Sequence, residues 1–169
     1  MILRCTQRLL KGVGLPILAD PPMPEAALGE WYANAVALPF TGRWVVMYTS
    51  ASTLLTVVAP GRAIRTTLPV FRERLPLLLR RLGLPDEWVD AQARAVEEVF
   101  IARTNNRRVL GSMNDLANQV WHTAAEHHAF QMLDFDRLEL ELAEVPLGMF
   151  RYKHPAAVAA DLARGGPVT

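Results

Sequence analysis

Cysteine is almost missing from this chain. Cys5 is the only one, which excludes an internal disulfide and a cysteine-built zinc site. Its neighbours Ile2 and Leu3 point to a strand, where a lone thiol serves as a small buried hydrophobe. Charge imbalance is missing as well: 18 Lys and Arg face 17 Asp and Glu, a formal charge of +1. That balance gives no global footprint for nucleic acid or an anionic membrane and leaves only local patches. Lysine is confined to Lys11 and Lys153, so the basic count is nearly all arginine. No apolar run approaches the roughly 20 residues of a membrane span. The first residues, MILRCTQRLLKG, lack the apolar core of a signal peptide. These absences describe a reduced, cytoplasmic protein. Phosphate-cradling glycine loops and the HExxH zinc pattern are absent too, and no Ser/His/Asp or Cys/His spacing marks a triad. The expectation is therefore no cofactor and no bound metal.

What is present is a globular composition, 51% hydrophobic and 21% charged. A chain of 169 residues suits one domain over 1–169, with a flexible end at about 165–169. Met1 to Cys5 reads as a strand and Gln7 to Lys11 as a short helix closed by Gly12 and Gly14. Pro16, Pro21, Pro22 and Pro24 make the next stretch a connector that wraps the surface. Trp31–Leu38, Arg43–Thr49 and Thr53–Ala59 form a three-stranded meander, rich in Val, Tyr, Trp and Thr and broken by turn residues. From Arg65 to Leu82 the apolar residues Leu68, Phe71, Leu75, Leu78, Leu79 and Leu82 share one helical arc. Pro76 predicts a kink or a fresh start inside it. A second helix opens at Pro85-Asp86, and Val99 to Arg103 turns to strand character. Val109 to about His128 is helical, with Val109, Met113, Leu116, Val120 and His127 in one stripe. Gly111-Ser112 inside that helix is unfavourable by about 1 kcal/mol for the glycine, which suggests a close approach by another backbone or a ligand. Asp134 or Asp136 can cap a further helix to Glu144, although LELEL there also alternates like a strand. Pro155 starts a last helix to Arg164.

The stretch Thr104 to Leu116, TNNRRVLGSMNDL, holds the densest set of polar side chains between two apolar-periodic segments. Two readings of it stand. Asn105, Asn106, Arg107 and Arg108 suit recognition of a carboxylate, phosphate or nucleobase edge, since Arg is a planar donor fork and Asn both donates and accepts. The asparagines equally suit Asx turns and a cap for the following helix. Asn114, at the edge of the apolar stripe, is expected to be partly buried and to tie this loop to Glu30–Asn34. Glu30-Trp31-Tyr32 with Asn34 places an acid beside aromatics, as in a pocket or at a strand entrance. Asp115, His122 and Glu126 share a polar column; His122 and Glu126 have i,i+4 metal spacing without a third ligand, and a solvated face explains them equally. His127 and His128 read as hydrogen-bonded residues near the core. Arg62, Arg65, Arg72 and Arg74 suit phosphate contact, but Glu73 dilutes them and Phe71 is the one interleaved aromatic, so a solvated helix face is the stronger reading.

Four pieces carry a resemblance: Arg4-Cys5-Thr6-Gln7, Leu28-Gly29-Glu30-Trp31-Tyr32-Ala33-Asn34, TNNRRVLGSMNDL, and Tyr152-Lys153-His154-Pro155. Over nearly the whole chain, and in this order, they resemble a bacterial family known as a domain of unknown function. The chain departs from that pattern at Arg108, where serine is expected, and at His154, where tyrosine is expected. The resemblance implies a compact α+β bacterial protein and specifies no reaction. The reading as a whole is an α+β domain: an antiparallel sheet of about five strands with helices packed on one face. Its function would be that of a small binding or regulatory module, with Glu30, Asn34, Asn105, Asn106, Arg107 and Asn114 as ligand-binding candidates. The partner would be a small ligand or a protein, with no membrane and with nucleic acid possible but not favoured. The alternative is an enzyme acting on a phosphorylated or nucleic-acid substrate, with Arg107 as clamp and His122 or Glu30 transferring protons.

Overall fold

Six strands and six α-helices make up the computed structural model, which describes residues 1–24, 26–126 and 130–166. The strands are β1 (Ile2–Cys5), β2 (Ile17–Leu18), β3 (Trp31–Ala37), β4 (Trp44–Ser50), β5 (Thr56–Pro60) and β6 (Phe100–Arg103). The helices are α1 (Gln7–Leu10), α2 (Ile64–Arg81), α3 (Asp86–Ala95), α4 (Arg107–Glu126), α5 (Phe135–Ala143) and α6 (Pro155–Ala163). One sheet takes all six strands in the order β2-β6-β1-β3-β4-β5.

The α+β class holds, but the sheet is mixed rather than antiparallel. Only the meander β3-β4-β5 is antiparallel; β1 runs parallel to both β3 and β6, and β2 parallel to β6. The cause lies in the connections. A hairpin returns the chain antiparallel, whereas the long passages from β1 to β3 and from β5 through α2 and α3 to β6 bring it back in the same direction. The Pro-rich connector also supplies a strand, the two residues of β2.

Helices cover both faces of the sheet, not one. Phe71, Leu75 and Leu78 of α2 and Val89 of α3 pack with Leu3, Cys5, Trp31, Ala33, Tyr48 and Val57 on one side. Val109, Met113, Leu116 and Val120 of α4 and Leu138 and Leu142 of α5 pack with Tyr32, Val45, Met47 and Val58 on the other. From Val45 to Ser50 every residue of β4 is buried, the pattern of a strand covered twice.

α2 runs through Pro69 and Pro76 without a new start; its buried face, centred on Phe71 and Leu75, compensates the lost backbone bonds. LELEL is helical, because the Asp134 carboxylate accepts the N–H groups of Asp136 (3.0 Å) and Arg137 (3.1 Å) and starts α5 there. His127 and His128 lie outside the described residues, as do 167–169 of the expected flexible end.

Two expectations for α4 are overturned. Asn114 is exposed and its side chain makes no hydrogen bond among the described residues, because it sits about 100° round the helix from Met113, on the solvent side with Asp115 and Asn118. Among the described residues nothing lies within 4 Å of where a Gly111 Cβ would stand, so no close backbone approach accounts for that glycine. Asn114→Ala should therefore leave the urea midpoint unchanged or slightly raised, and Gly111→Ala should stabilise by about 0.5–1 kcal/mol. A loss of stability in Asn114→Ala would restore the interpretation of this amide as a buried tie.

Candidate functional site

The parallel half of the sheet ends at Cys5 in β1 and Arg103 in β6, which are register partners. Open sheets bind ligands outside such carboxyl ends, where connections leave in different directions. Here β1 is followed by chain that crosses to β2, beyond β6, while its other neighbour is β3. The polar side chains gather at this place.

Arg4 is the centre of the group. It stands opposite Tyr32 and Ala102 in the ladders, so its side chain shares the α4 face of the sheet with the Tyr32 ring. Its residue surface is only 9% exposed. The guanidinium donates from Nε to Glu30 Oε2 (2.5 Å), from Nη2 to Glu30 Oε1 (2.7 Å) and from Nη1 to the Arg103 carbonyl (2.9 Å). Such a two-pronged charge-assisted contact fixes orientation as well as charge. The hydrogen bond to Glu30 raises the Arg4 pKa, against the opposing effect of burial.

Glu30 is delivered by its backbone. Leu28 donates its N–H to the buried Gln92 side chain (3.1 Å), its carbonyl accepts from the Ser50 hydroxyl (2.8 Å), and the Glu30 carbonyl accepts from Ala51 N–H (2.8 Å). Between them Gly29 turns through φ +66, and a Cβ there would meet Ser52 Oγ at 2.5 Å. Glycine is therefore favoured at the turn that aims Glu30 at Arg4.

Tyr32 anchors the loop from β6 to α4. Its hydroxyl donates to Asn105 Oδ1 (2.5 Å). Burial first, then the Glu30 charge, pushes the phenol pKa up, while Arg4 and the backbone N–H groups of Asn105 and Asn106 pull it down. Asn106 is the cap of α4, its Oδ1 accepting from Arg108 N (3.0 Å) and Val109 N (3.3 Å). Thr6 continues the β1–β3 ladder through its N–H to the Ala33 carbonyl (3.0 Å) and donates its hydroxyl to Asn34 Oδ1 (3.3 Å).

Beside this group lies a cleft of about 610 Å³. Arg4, Glu30, Arg103, Thr104 and Asn105 form one wall, and the connector from Ile17 to Pro24, with Asp20, forms the other. A smaller cleft of about 360 Å³ opens at the amino ends of the same strands, by Met1, Trp31 and Gln92.

The structure sorts the sequence candidates. Glu30 and Asn105 line the larger cleft; Asn34 is half-buried against Thr6; Asn106 is occupied as a helix cap. Arg107 and Asn114 are exposed and line neither cleft. His122 and Glu126 are exposed, and among the described residues no three His, Cys, Asp or Glu side chains gather as a metal set. Arg72 and Arg74 are internal ties rather than a solvated face, donating to backbone carbonyls after α3 and to acids of α5. Sequence reasoning missed Arg4 and Asp20, which line the larger cleft. The available signal was a cationic residue inside the buried strand ILRC.

Among the described residues no helix is long and apolar enough to cross a membrane. No curated protein and no solved structure matches the chain. The pieces that build the site, from Arg4 through Gly29-Glu30 and Tyr32 to Asn105-Asn106, all fall within residues 2–158, which match the family described as Domain of unknown function (DUF6933). The chain belongs to that family.

Proposed function

We propose that the protein is a single-domain, cytoplasmic bacterial binding module whose small ligand seats in the cleft between the Ile17–Pro24 connector and the carboxyl ends of β1 and β6. One observation carries the reading: a nearly buried Arg4–Glu30 pair opens onto a cleft of about 610 Å³. Replacing a buried ion pair by apolar residues of similar size is often neutral or stabilising, so its retention at the wall of a cleft favours recognition over stability. A volume of this size suits a small molecule. Cytoplasmic location rests on the single, unpaired and buried Cys5, and bacterial origin on the resemblance to the family. The enzyme alternative asks Arg107 to share a site with Glu30 or His122; of these three, Glu30 alone lines the cleft.

The test is a thermal-shift screen of polar metabolites against wild type and the double variant Arg4→Met/Glu30→Met. The double variant should fold with little change in midpoint, because both charges leave together. Compounds that raise the wild-type midpoint should leave the double variant unmoved. Equal shifts in both proteins would place binding elsewhere and sink the proposal.

A further inference from the structure

The chemistry of the cleft wall narrows the ligand class, on the assumption that the cleft is the binding site. Arg4 carries five N–H donors. Three are spent, on the two Glu30 oxygens and the Arg103 carbonyl, which leaves one N–H on each terminal nitrogen among the described residues. Each Glu30 oxygen accepts one bond from Arg4 and retains a further lone pair. Asn105 spends its carbonyl oxygen on Tyr32, so its amide N–H₂ remains to donate. The wall thus offers donors from Arg4 and Asn105 next to acceptors from Glu30.

Charge decides between ligand classes. The ionisable residues lining the cleft are Arg4 and Arg103 against Glu30 and Asp20, two of each sign, so their formal charges sum to zero. A phosphate or polycarboxylate would find Arg4 already held by Glu30 and a second carboxylate, Asp20, in the same lining. A neutral group that accepts and donates side by side fits the wall without drawing Arg4 and Glu30 apart. The opposite wall presents the rings of Pro21, Pro22 and Pro24, apolar faces against which a flat ring can lie.

We infer that the cleft binds a neutral planar ring through an edge carrying a carbonyl beside a ring N–H, as on an oxopurine or pyrimidinedione base. The carbonyl accepts from Arg4 and Asn105, and the ring N–H donates to Glu30. Such an edge occurs on a free base or nucleoside and also on an unpaired base of a nucleic-acid strand.

Isothermal titration of the full chain tests this with hypoxanthine, uracil, their nucleosides, N-methylated counterparts lacking the ring N–H, a short oligouridylate, phosphate and pyrophosphate. At least one unmodified base or nucleoside should bind, and N-methylation should weaken it by about tenfold or more. Asn105→Asp keeps an oxygen for Tyr32, sits at an exposed position and replaces the outward donor by a charged acceptor; it should weaken binding by a similar factor. Arg4→Met/Glu30→Met should abolish it. Tighter binding of the oligouridylate than of uridine, with the same sensitivity to Asn105→Asp, supports the same edge and identifies a strand as its source. Binding of phosphate or pyrophosphate alone, lost in the cleft variants, overturns the ring inference and leaves the proposed function standing. Binding by none of these probes, or binding that ignores every cleft variant, overturns both.

Discussion

Replacing Glu139 with alanine is expected to lower the unfolding free energy by about 3–5 kcal/mol, read from urea denaturation at neutral pH. The Glu139 side chain is fully buried, on the inner side of α5. Its Oε1 accepts the Val58 N–H of β5 (2.8 Å) and Arg74 Nε (2.9 Å), and its Oε2 accepts Arg74 Nη2 (2.9 Å). Truncation strands a backbone donor and a mostly buried guanidinium at once. Arg74 keeps one acid, Asp136 at 2.8 Å, which is itself half-buried and shared with Arg81. A loss below about 1 kcal/mol, the scale of an exposed pair, would mean that water replaces the carboxylate. The pH dependence gives a second check. Burial pushes the Glu139 carboxyl above its ordinary 4.5, with Arg74 and Val58 N–H pulling down. The folded form therefore keeps its proton at pH values where the unfolded chain has lost it. Stability from this group is greatest below the unfolded value and declines as pH rises through the folded one. Relative to Glu139→Gln, which cannot titrate, the wild type should gain stability as pH falls toward 4.5. A relative loss over that window would reverse the assigned direction.

Phe71→Ala should cost a comparable amount, about 3–5 kcal/mol. Phe71 is fully buried in α2, and its ring meets Trp31 edge-on at 4.9 Å and stacks on Tyr48 at 4.5 Å. One ring therefore joins α2 to both β3 and β4, and the geometry adds about 0.5–1.5 kcal/mol per aromatic pair beyond area burial. Thermal and urea unfolding by circular dichroism measure the loss. Phe71→Leu refills part of the space and should lose clearly less. Equal losses in the two variants would show that the aromatic contacts matter more than the volume.

Local order was readable where periodicity or capping decides it. The Leu68–Leu79 arc, the turns around β4 and the start of α6 at Pro155 all follow from residue type and spacing. Pairing across long separations was not. Nothing in ILRC or FIAR says that β1 lies between β3 and β6, since a short buried strand carries no mark of its neighbours. The two-sided covering of β4 was visible in VVMYTS, which does not alternate, but an antiparallel sheet with one wet face had been assumed. The candidate site was legible at its loops, where Glu30 and Asn105, which line the cleft, stood out as polar residues beside apolar runs. Its centre was not, because Arg4 reads as an interruption of a strand until Glu30 is seen to face it. Asn114 shows the converse: the edge of the apolar stripe predicts partial burial, but that edge of α4 faces solvent, with Leu110 only half-buried and Trp121 exposed.

The short strand β2 has a consequence for how copies of this chain meet. A sheet margin with a long row of unsatisfied peptide groups templates the addition of strands from other molecules. On this margin the row is two residues long, Ile17 and Leu18, preceded by Pro16 and followed shortly by Pro21 and Pro22, none of which has an amide hydrogen to offer. At the far margin, β5 has its Val58 amide taken by Glu139 and ends in Pro60. Among the described residues neither margin presents a ladder long enough to be copied. Crowding should therefore not zip these molecules edge to edge into growing fibres, and any assembly they form must be made by side chains.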